Sequence, residues 1–419
     1  MSLFNVGGKS AELEAKALEN CAVRFGKISA VTRKNQRRLL EAYIKNGVSA
    51  VHLGSTTGYG YDDAGRDKIE QVFADYCGAQ DCLFRHNFMS GTHTLAVMLF
   101  GILRPNDKML VLTGEPYDTL QGVLGHHAYS DGSLTELGVK IEVVDLKDGL
   151  LDTETIKKKL AEDDYRVAYI QRSRGYSFRK SLTAQEVGEL CRLVKSVSPD
   201  TIAMVDNCYG EFVNTAEPTA VGADIMAGSL IKNAGGGIAP TGGYIAGRHD
   251  LVEKCAARLT APGVGREIGA TLGHNRELFM GLFAAPHVTG EALKSAVFAA
   301  ELFTLAGFDV VPKPNEERGD IVQVLKLESD ERLIAFCKGI QSGSPVDSFA
   351  SPEPADMPGY DSKVIMAAGA FTLGSSIELS ADAPLNEPYA VYLQGGLNFD
   401  SAEAGILLGL AALEKDNLI

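Results

Sequence analysis

Lys232 stands between a short apolar run and a glycine-rich tract, in AGSLIKNAGGGIAPTGGYIAG over 227–247. Upstream, IAMVDNCYGEF ends an apolar, strand-like run in Asp206, and FMSGTHTL sets Ser90, Gly91 and Thr92 between a strand-like and a helix-like run. Ligands of open parallel sheets gather at the carboxyl ends of strands, so Asp206 and Lys232 are expected to face one crevice. The backbone amides and dipole of a helix start suit an anion such as phosphate, which points to Ser90, Gly91 and Thr92 as its cup. An amine able to form a Schiff base, an acid that keeps a ring nitrogen protonated and a phosphate anchor are together what pyridoxal phosphate needs. Each piece alone has a plainer reading, since Ser-Gly-Thr is a common helix cap and Asp a common turn residue. Their order along the chain favours the cofactor.

Such groups need a sheet to hold them. DCLFRHNF, DKMLVLT, VKIEVVD, RVAYIQ and TIAMVDN are strand-like runs separated by helical or polar stretches. Alternation of that kind implies an α/β fold, a parallel sheet covered on both faces. In SLTAQEVGELCRLVKSV, the residues Val187, Leu190, Val194 and Val197 share one helical face and read as packing. After about residue 285 the texture changes. TGEALKSAVFAAELFTLAGF reads as a long helix, DIVQVLKL and SSIELS as strands, AEAGILLGLAALEK as a closing helix, and SGSPVDSFASPEPADMPGY as a loop. The expected organisation is an N-terminal helical segment and arm over 1–57, a large α/β domain over 58–285 and a smaller α+β domain over 286–419.

The formal net charge is −14 with no basic run, which argues against a nucleic-acid partner. The longest apolar run, AGILLGLAAL from Ala404 to Leu413, is too short to span a membrane. No signal peptide is visible, so the chain reads as soluble and cytoplasmic. Seven cysteines, Cys21, Cys77, Cys82, Cys191, Cys208, Cys255 and Cys337, are scattered without a C-x-x-C pair, as expected of reduced thiols rather than disulfides or a zinc site.

VDNCYGEF followed by GADIMAGSLIKNAGGGIAPTGGYIAG resembles the cystathionine- and methionine-metabolism branch of the fold type I pyridoxal-phosphate enzymes. GYGYDDAGRDKIEQVFAD, SGTHTL, QRSRGY, AGSLIKN, APTGGYIAG and YLQGGLNF are similar to its aluminium-resistance, or methionine γ-lyase, subgroup over most of the chain. The resemblance implies the aspartate-aminotransferase-type fold: a large mixed, mostly parallel sheet with helices on both faces, plus a smaller C-terminal α+β domain. Lys232 would be the Schiff-base lysine and proton carrier, and Asp206 the partner of the pyridinium nitrogen. Ser90, Gly91 and Thr92 would hold the phosphate with a hydroxyl from Ser229. Tyr117 matches the position of a ring that stacks on the cofactor, with His93 as its rival. Tyr59, Tyr61 and Arg66 fall in a segment that relatives extend across a dimer interface to the neighbour's phosphate. That implies a homo-oligomer with shared active sites, a dimer that pairs into a tetramer. The plainer reading is a turn capping a helix, with Arg66 in a surface ion pair.

One departure stands out. The cystathionine branch clamps the substrate carboxylate with an arginine of the small domain, but the last arginine here is Arg332. The role is expected to move to Arg172, Arg174 or Arg179 of QRSRGYSFR, or to Lys363. The resemblance implies a carbon–sulfur lyase acting on a sulfur-containing amino acid, a methionine γ-lyase or a cystathionine β- or γ-lyase. Two other classes remain open: an aldolase or transferase on the same cofactor, and a non-catalytic protein of metal resistance. For the last, the 54 acidic residues and eight histidines are dispersed, with His126 and His127 the adjacent pair, so no metal site is expected.

Overall fold

The computed structural model describes residue 4 and residues 6–126, 131–357 and 362–419. Two compact units arise, one from residues 34–285 and the other from residues 1–33 with 286–419. The N-terminal stretch expected as a separate segment over 1–57 is therefore divided between them.

In the first unit, seven strands form one sheet: β1 (Asp81–Arg85), β2 (Lys108–Val111), β3 (Lys140–Val143), β4 (Val167–Gln171), β5 (Ile202–Asp206), β6 (Ile225–Ser229) and β7 (Gly243–Gly247). They run in the order β1-β7-β6-β5-β4-β2-β3. The pairs from β3 to β6 are parallel, and β7 is inserted antiparallel between β6 and β1. This is the large mixed, mostly parallel sheet that the resemblance implies. Every residue of β4, β5, β6 and β7 is buried, which is why these strands read as nearly continuous apolar runs.

Helices α1 (Gly8–Lys45), α2 (Ala64–Cys77), α3 (Gly91–Ile102), α4 (Asp118–Leu124), α5 (Thr153–Glu162), α6 (Ala184–Val197), α7 (His249–Leu259) and α8 (Asn275–Leu305) follow in chain order. Side chains alternate across each strand, so the sheet feeds two cores. Ala203 and Val205 of β5 join Phe73 of α2, Ile156 of α5 and Val187, Leu190 and Val194 of α6. Ile202 and Met204 join Met98 and Leu99 of α3 and Val252 and Cys255 of α7. Helix α6 starts in a capping box, Thr183 with Glu186, and Val197 packs partly buried on the same core, as its spacing predicts.

In the second unit, β8 (Asp309–Val311), β9 (Gln323–Lys326), β10 (Val364–Ala367), β11 (Ser380–Pro384) and β12 (Ala390–Gln394) make an antiparallel sheet in the order β10-β11-β12-β9-β8. Helices α9 (Asp330–Ser342) and α10 (Phe399–Lys415) and the α8 residues Phe298 and Phe303 share its core. SSIELS departs from expectation: the strand starts only at Ser380. The Glu378 carboxylate accepts the amides of Phe371 and Thr372 at 2.9 and 2.8 Å, which bends this run into a turn. The expected Pro/Ser-rich loop has no strand up to residue 357, only an isolated bridge from Ala355 to Val364, and its end lies outside the described residues. Among the described residues no helix is long and apolar enough to cross a membrane.

Candidate active site

The register that pairs Gln171 with Asp206, and Asp206 with Ala227, brings the carboxyl ends of β4, β5 and β6 to one sheet edge. Asp206 closes β5, Ser229 closes β6, and Lys232 follows in the turn beyond. The start of α3 faces the same edge. Ser90 is its N-cap, its Oγ accepting from the His93 amide at 3.1 Å. A Cβ placed on Gly91 would lie 3.3 Å from Ser229 Cβ and 3.6 Å from Cys208 Sγ. Ser229 is fully buried and its Oγ has no hydrogen-bond partner. An unmet buried hydroxyl is costly, so this one calls for a polar group from outside the chain. Helix-start amides, a glycine that keeps the space open and an orphaned hydroxyl fit a phosphate. The Thr92 hydroxyl already pairs with Thr119, Oγ1 to Oγ1 at 2.8 Å.

Asp206 is 5% exposed. Its Oδ1 accepts the Cys208 amide at 3.0 Å and its Oδ2 the Tyr169 hydroxyl at 3.3 Å. Burial pushes its carboxyl above the usual range, while Cys208, the Lys232 charge and Tyr169 pull it back. A carboxylate buried with so little positive charge fits a cation placed against it, as a protonated ring nitrogen would be. The half-buried Lys232 holds its Nζ 3.7 Å from the centroid of the Tyr209 ring. Sequence reasoning passed over Tyr209 and Cys208 as functional candidates, although both lie in the VDNCYGEF stretch.

Behind the edge lies a buried polar network. Asn207 Nδ2 donates to Tyr244 Oη and to Glu217 Oε2, both at 3.0 Å, and Tyr244 Oη donates to Glu211 Oε1 at 2.8 Å. Burial foremost lifts the Glu211 carboxyl to about 8, with Tyr244 opposing and Glu217 adding to the rise.

Two of the arginines expected to bind substrate are engaged here by the chain itself. Arg172 is 0% exposed and donates to Leu182 O, Asn207 Oδ1 and Asn214 Oδ1 at 3.1, 2.7 and 2.7 Å, with Glu217 3.7 Å away. Arg179 is buried and donates to the carbonyls of Gln171, Ser173 and Lys180. Both thus brace the loop after β4 through these bonds. Arg174 is buried in that loop as well, not solvated on its rim. Lys363 lies in the other unit, just before β10.

Tyr117 opens α4, its amide donating to Gln171 Oε1 at 2.7 Å. Its ring meets Tyr176 edge-on at 5.6 Å, and a Cβ on Gly175 would lie 3.1 Å from its Cδ2. His93 folds back on its own helix start, its Nδ1 accepting the Met89 amide at 3.0 Å.

Tyr59 and Tyr61 are stacked with centroids 5.6 Å apart, and both are exposed. Arg66 folds back on its own chain. It is 3% exposed, its Nη1 donates to the carbonyls of Gly60 and Gly269 at 2.7 and 3.2 Å, and its Nε donates to Asp67 at 2.9 Å. Beside it, the buried Asp63 caps α2 and accepts from the Arg66 amide, Thr56, Thr271 and Asn275. Arg66 and Asp63 thus set the loop that displays the two tyrosines.

Six of the seven cysteines are buried and Cys208 is half-buried. The group among the described residues with the spacing of metal ligands is Asp81, His249 and Glu253. Its charge is already answered, because Arg266 donates to both Asp81 oxygens at 2.9 Å and lies 3.2 Å from Glu253. His126 lies 3.7 Å from Glu115, and His127 is outside the described residues.

The profile of the Methionine gamma-lyase family matches residues 10–414. A solved structure from Clostridium acetobutylicum, described as a candidate cystathionine beta-lyase involved in aluminum resistance, shares 49% identity, covers 98% of this chain and 97% of its own, and superposes with a TM-score of 0.95. A second, a carbon-sulfur lyase involved in aluminum resistance from Clostridium novyi NT, shares 47% identity over 97% of this chain and 96% of its own, with a TM-score of 0.93. An uncharacterised protein of Bacillus subtilis (strain 168), YnbB, is 45% identical over 394 residues, 94% of this chain and 93% of that protein.

Proposed function

The chain belongs to the methionine gamma-lyase family, and from that premise we propose that it is a pyridoxal-phosphate enzyme that breaks a carbon–sulfur bond of an amino acid. The observation that carries this reading is the orphaned Ser229 hydroxyl facing the Gly91 helix start, at the same sheet edge as Asp206 and Lys232. Joined to the Lys232 amine, pyridoxal phosphate supplies an electron sink for the charge left on a substrate carbon when its proton is removed. The chain does the rest. The amides opening α3 and the Ser229 hydroxyl would hold the phosphate, and Asp206 would hold a ring N–H. Lys232 would take the α-proton of the bound substrate. Elimination from the β-carbon needs that transfer alone, whereas loss of a thiol from the γ-carbon needs Lys232 to move a second proton. Expulsion of a thiolate from cystathionine, cysteine or methionine falls within this chemistry.

The proposal includes a dimer whose active sites are shared, supported by the exposed Tyr59–Tyr61 pair on its braced loop, with two dimers pairing into a tetramer. Unpaired thiols throughout support a cytoplasmic setting. The test starts from the visible spectrum of purified wild type and Lys232→Ala, before and after borohydride, with pyridoxal phosphate added. A yellow band that borohydride removes only from wild type is expected, followed by keto acid and thiol from at least one of methionine, cystathionine and cysteine. A wild type that stays colourless would end the cofactor reading. A coloured protein that releases no keto acid but yields aldehyde from β-hydroxy amino acids would be an aldolase instead. Light scattering that gives an active monomer would refute the shared site.

A further inference from the structure

The contact between the Lys232 amine and the Tyr209 ring has no part in the chemistry above. At 3.7 Å from the centroid, the amine sits on the π face, where the ring quadrupole favours an ammonium over a neutral amine. Tyr209 reaches this place against its backbone preference, with φ at +67°, a region where few side-chain-bearing residues are found. The turn is pinned from several sides. The Cys208 amide is bound to Asp206, and Asn207 is bound to Tyr244 and Glu217. A Cβ at Gly210 would lie 2.6 Å from the buried Arg172 guanidinium. Asn233, the residue after the lysine, donates its Nδ2 to Tyr209 O at 3.0 Å and to Glu211 O at 2.9 Å. One side chain thus ties the backbone of the ring to the backbone of the amine.

We infer that Tyr209 is a positioning residue that parks the Lys232 ammonium whenever the amine is not bonded to the cofactor. The inference rests on the reading of Lys232 as the cofactor lysine. A single proton is involved: the amine accepts it from a substrate carbon, the resulting ammonium rests on the ring, and the proton leaves again when it is delivered. The Asp206 carboxylate and the Cys208 thiol are among the titratable groups that feel the charge of Lys232. Asp206 favours the ammonium too, so the share of the ring is isolated by variants that leave Asp206 in place.

The experiment uses the full chain free of cofactor. Brief acetic anhydride pulses from neutral to strongly alkaline pH, read at the Lys232 peptide by mass spectrometry, give the midpoint at which the amine becomes reactive. In Tyr209→Leu, and in Tyr209→Met should the leucine variant fail to fold, the midpoint should fall by about 0.5 to 1 pH unit. Acylation on the neutral side should then run about 3- to 10-fold faster, since each pH unit is a factor of ten in the neutral amine. Tyr209→Phe, which keeps the ring, should overlay wild type, and all should share one alkaline plateau if access is unchanged. Leucine or methionine profiles that overlay wild type would overturn the inference, as would a phenylalanine profile that moves with them. Borohydride capture of pyridoxal phosphate, run in parallel on wild type, separates this contact from the cofactor reading. Shifted profiles without capture keep the contact and end the cofactor reading, and capture with overlaid profiles does the opposite.

Discussion

Gly91→Ala adds one carbon where the proposed phosphate cradle is narrowest. The φ of Gly91 is not in the left-handed region, so alanine suits the backbone. Alanine is better than glycine inside a helix by about 1 kcal/mol, and by less at a helix start. Against this, the new Cβ at 3.3 Å from Ser229 Cβ is tight enough that the neighbour must yield by a fraction of an ångström. The two effects oppose, and the melting temperature of the cofactor-free protein should move by no more than the equivalent of about 1 kcal/mol. Binding should respond very differently. The new carbon takes up space between the helix amides and the Ser229 hydroxyl, so at least one hydrogen bond to a charged group is lost. Such a bond is worth about 1.5–3 kcal/mol, or roughly 10- to 150-fold in affinity. Calorimetric titration of pyridoxal phosphate into wild type and variant, with melting curves of both, measures the two quantities separately. Equal affinities would refute the cradle. Weakened binding together with a large fall in melting temperature would show that the glycine serves the fold instead.

Three further substitutions test the surroundings. Burial opposes ionisation of Asp63, yet bonds from the Arg66 amide, Thr271, Thr56 and Asn275 carry it down to about 2. A depressed carboxyl stabilises the fold above its unfolded value near 3.9 and loses that as pH falls through the folded value, so the gap between wild type and Asp63→Asn, about 2 kcal/mol, should be full at neutral pH and close between about pH 4 and 2. A gap that persists in acid would refute this. Glu211 has the opposite sign: with its carboxyl raised to about 8 by burial, its stability is full below the ordinary carboxylate range and is lost as pH climbs. Glu211→Gln should therefore gain in melting temperature over wild type between mildly acidic and mildly alkaline pH, and parallel curves would count against a buried neutral acid. Arg172→Met strips the cation from Glu217 and should destabilise the protein by about 3–5 kcal/mol with little change in KM of the folded fraction. An unchanged melt with a raised KM would return Arg172 to the substrate.

The placement of the candidate site residues was legible where they lie at the ends of elements. Asp206 follows an apolar run and Ser90 precedes one, and those are positions where strand and helix termini present groups to a crevice. Arginine placement was not legible in the same way. Arg172 and Arg179 stand beside a strand end, as ligand-binding residues do, but Arg172 is engaged by Asn207, Asn214 and Glu217 from segments whose approach only the fold decides, and Arg179 turns back on carbonyls of its own loop. Arg66 misled for the same reason, since one of its acceptors, Gly269, is far along the chain. Tyr209 was hidden because an aromatic residue after a strand usually packs into a core, and its positive φ leaves no trace in composition. The antiparallel insertion of β7 beside β6 was equally silent: GYIAG is a buried strand whichever way it runs.

The distribution of sulfur has a practical consequence. Six thiols are sealed in the cores, where burial holds their protons, and the remaining one, Cys208, is partly open beside Asp206 and the glycine that opens α3. A small alkylating reagent should therefore find one slow thiol in the native protein and seven in the unfolded chain. That lone thiol makes the protein its own occupancy gauge: whatever fills the space between α3 and β6 should shield it, and the rate of alkylation reads how full the site is without any reference to turnover.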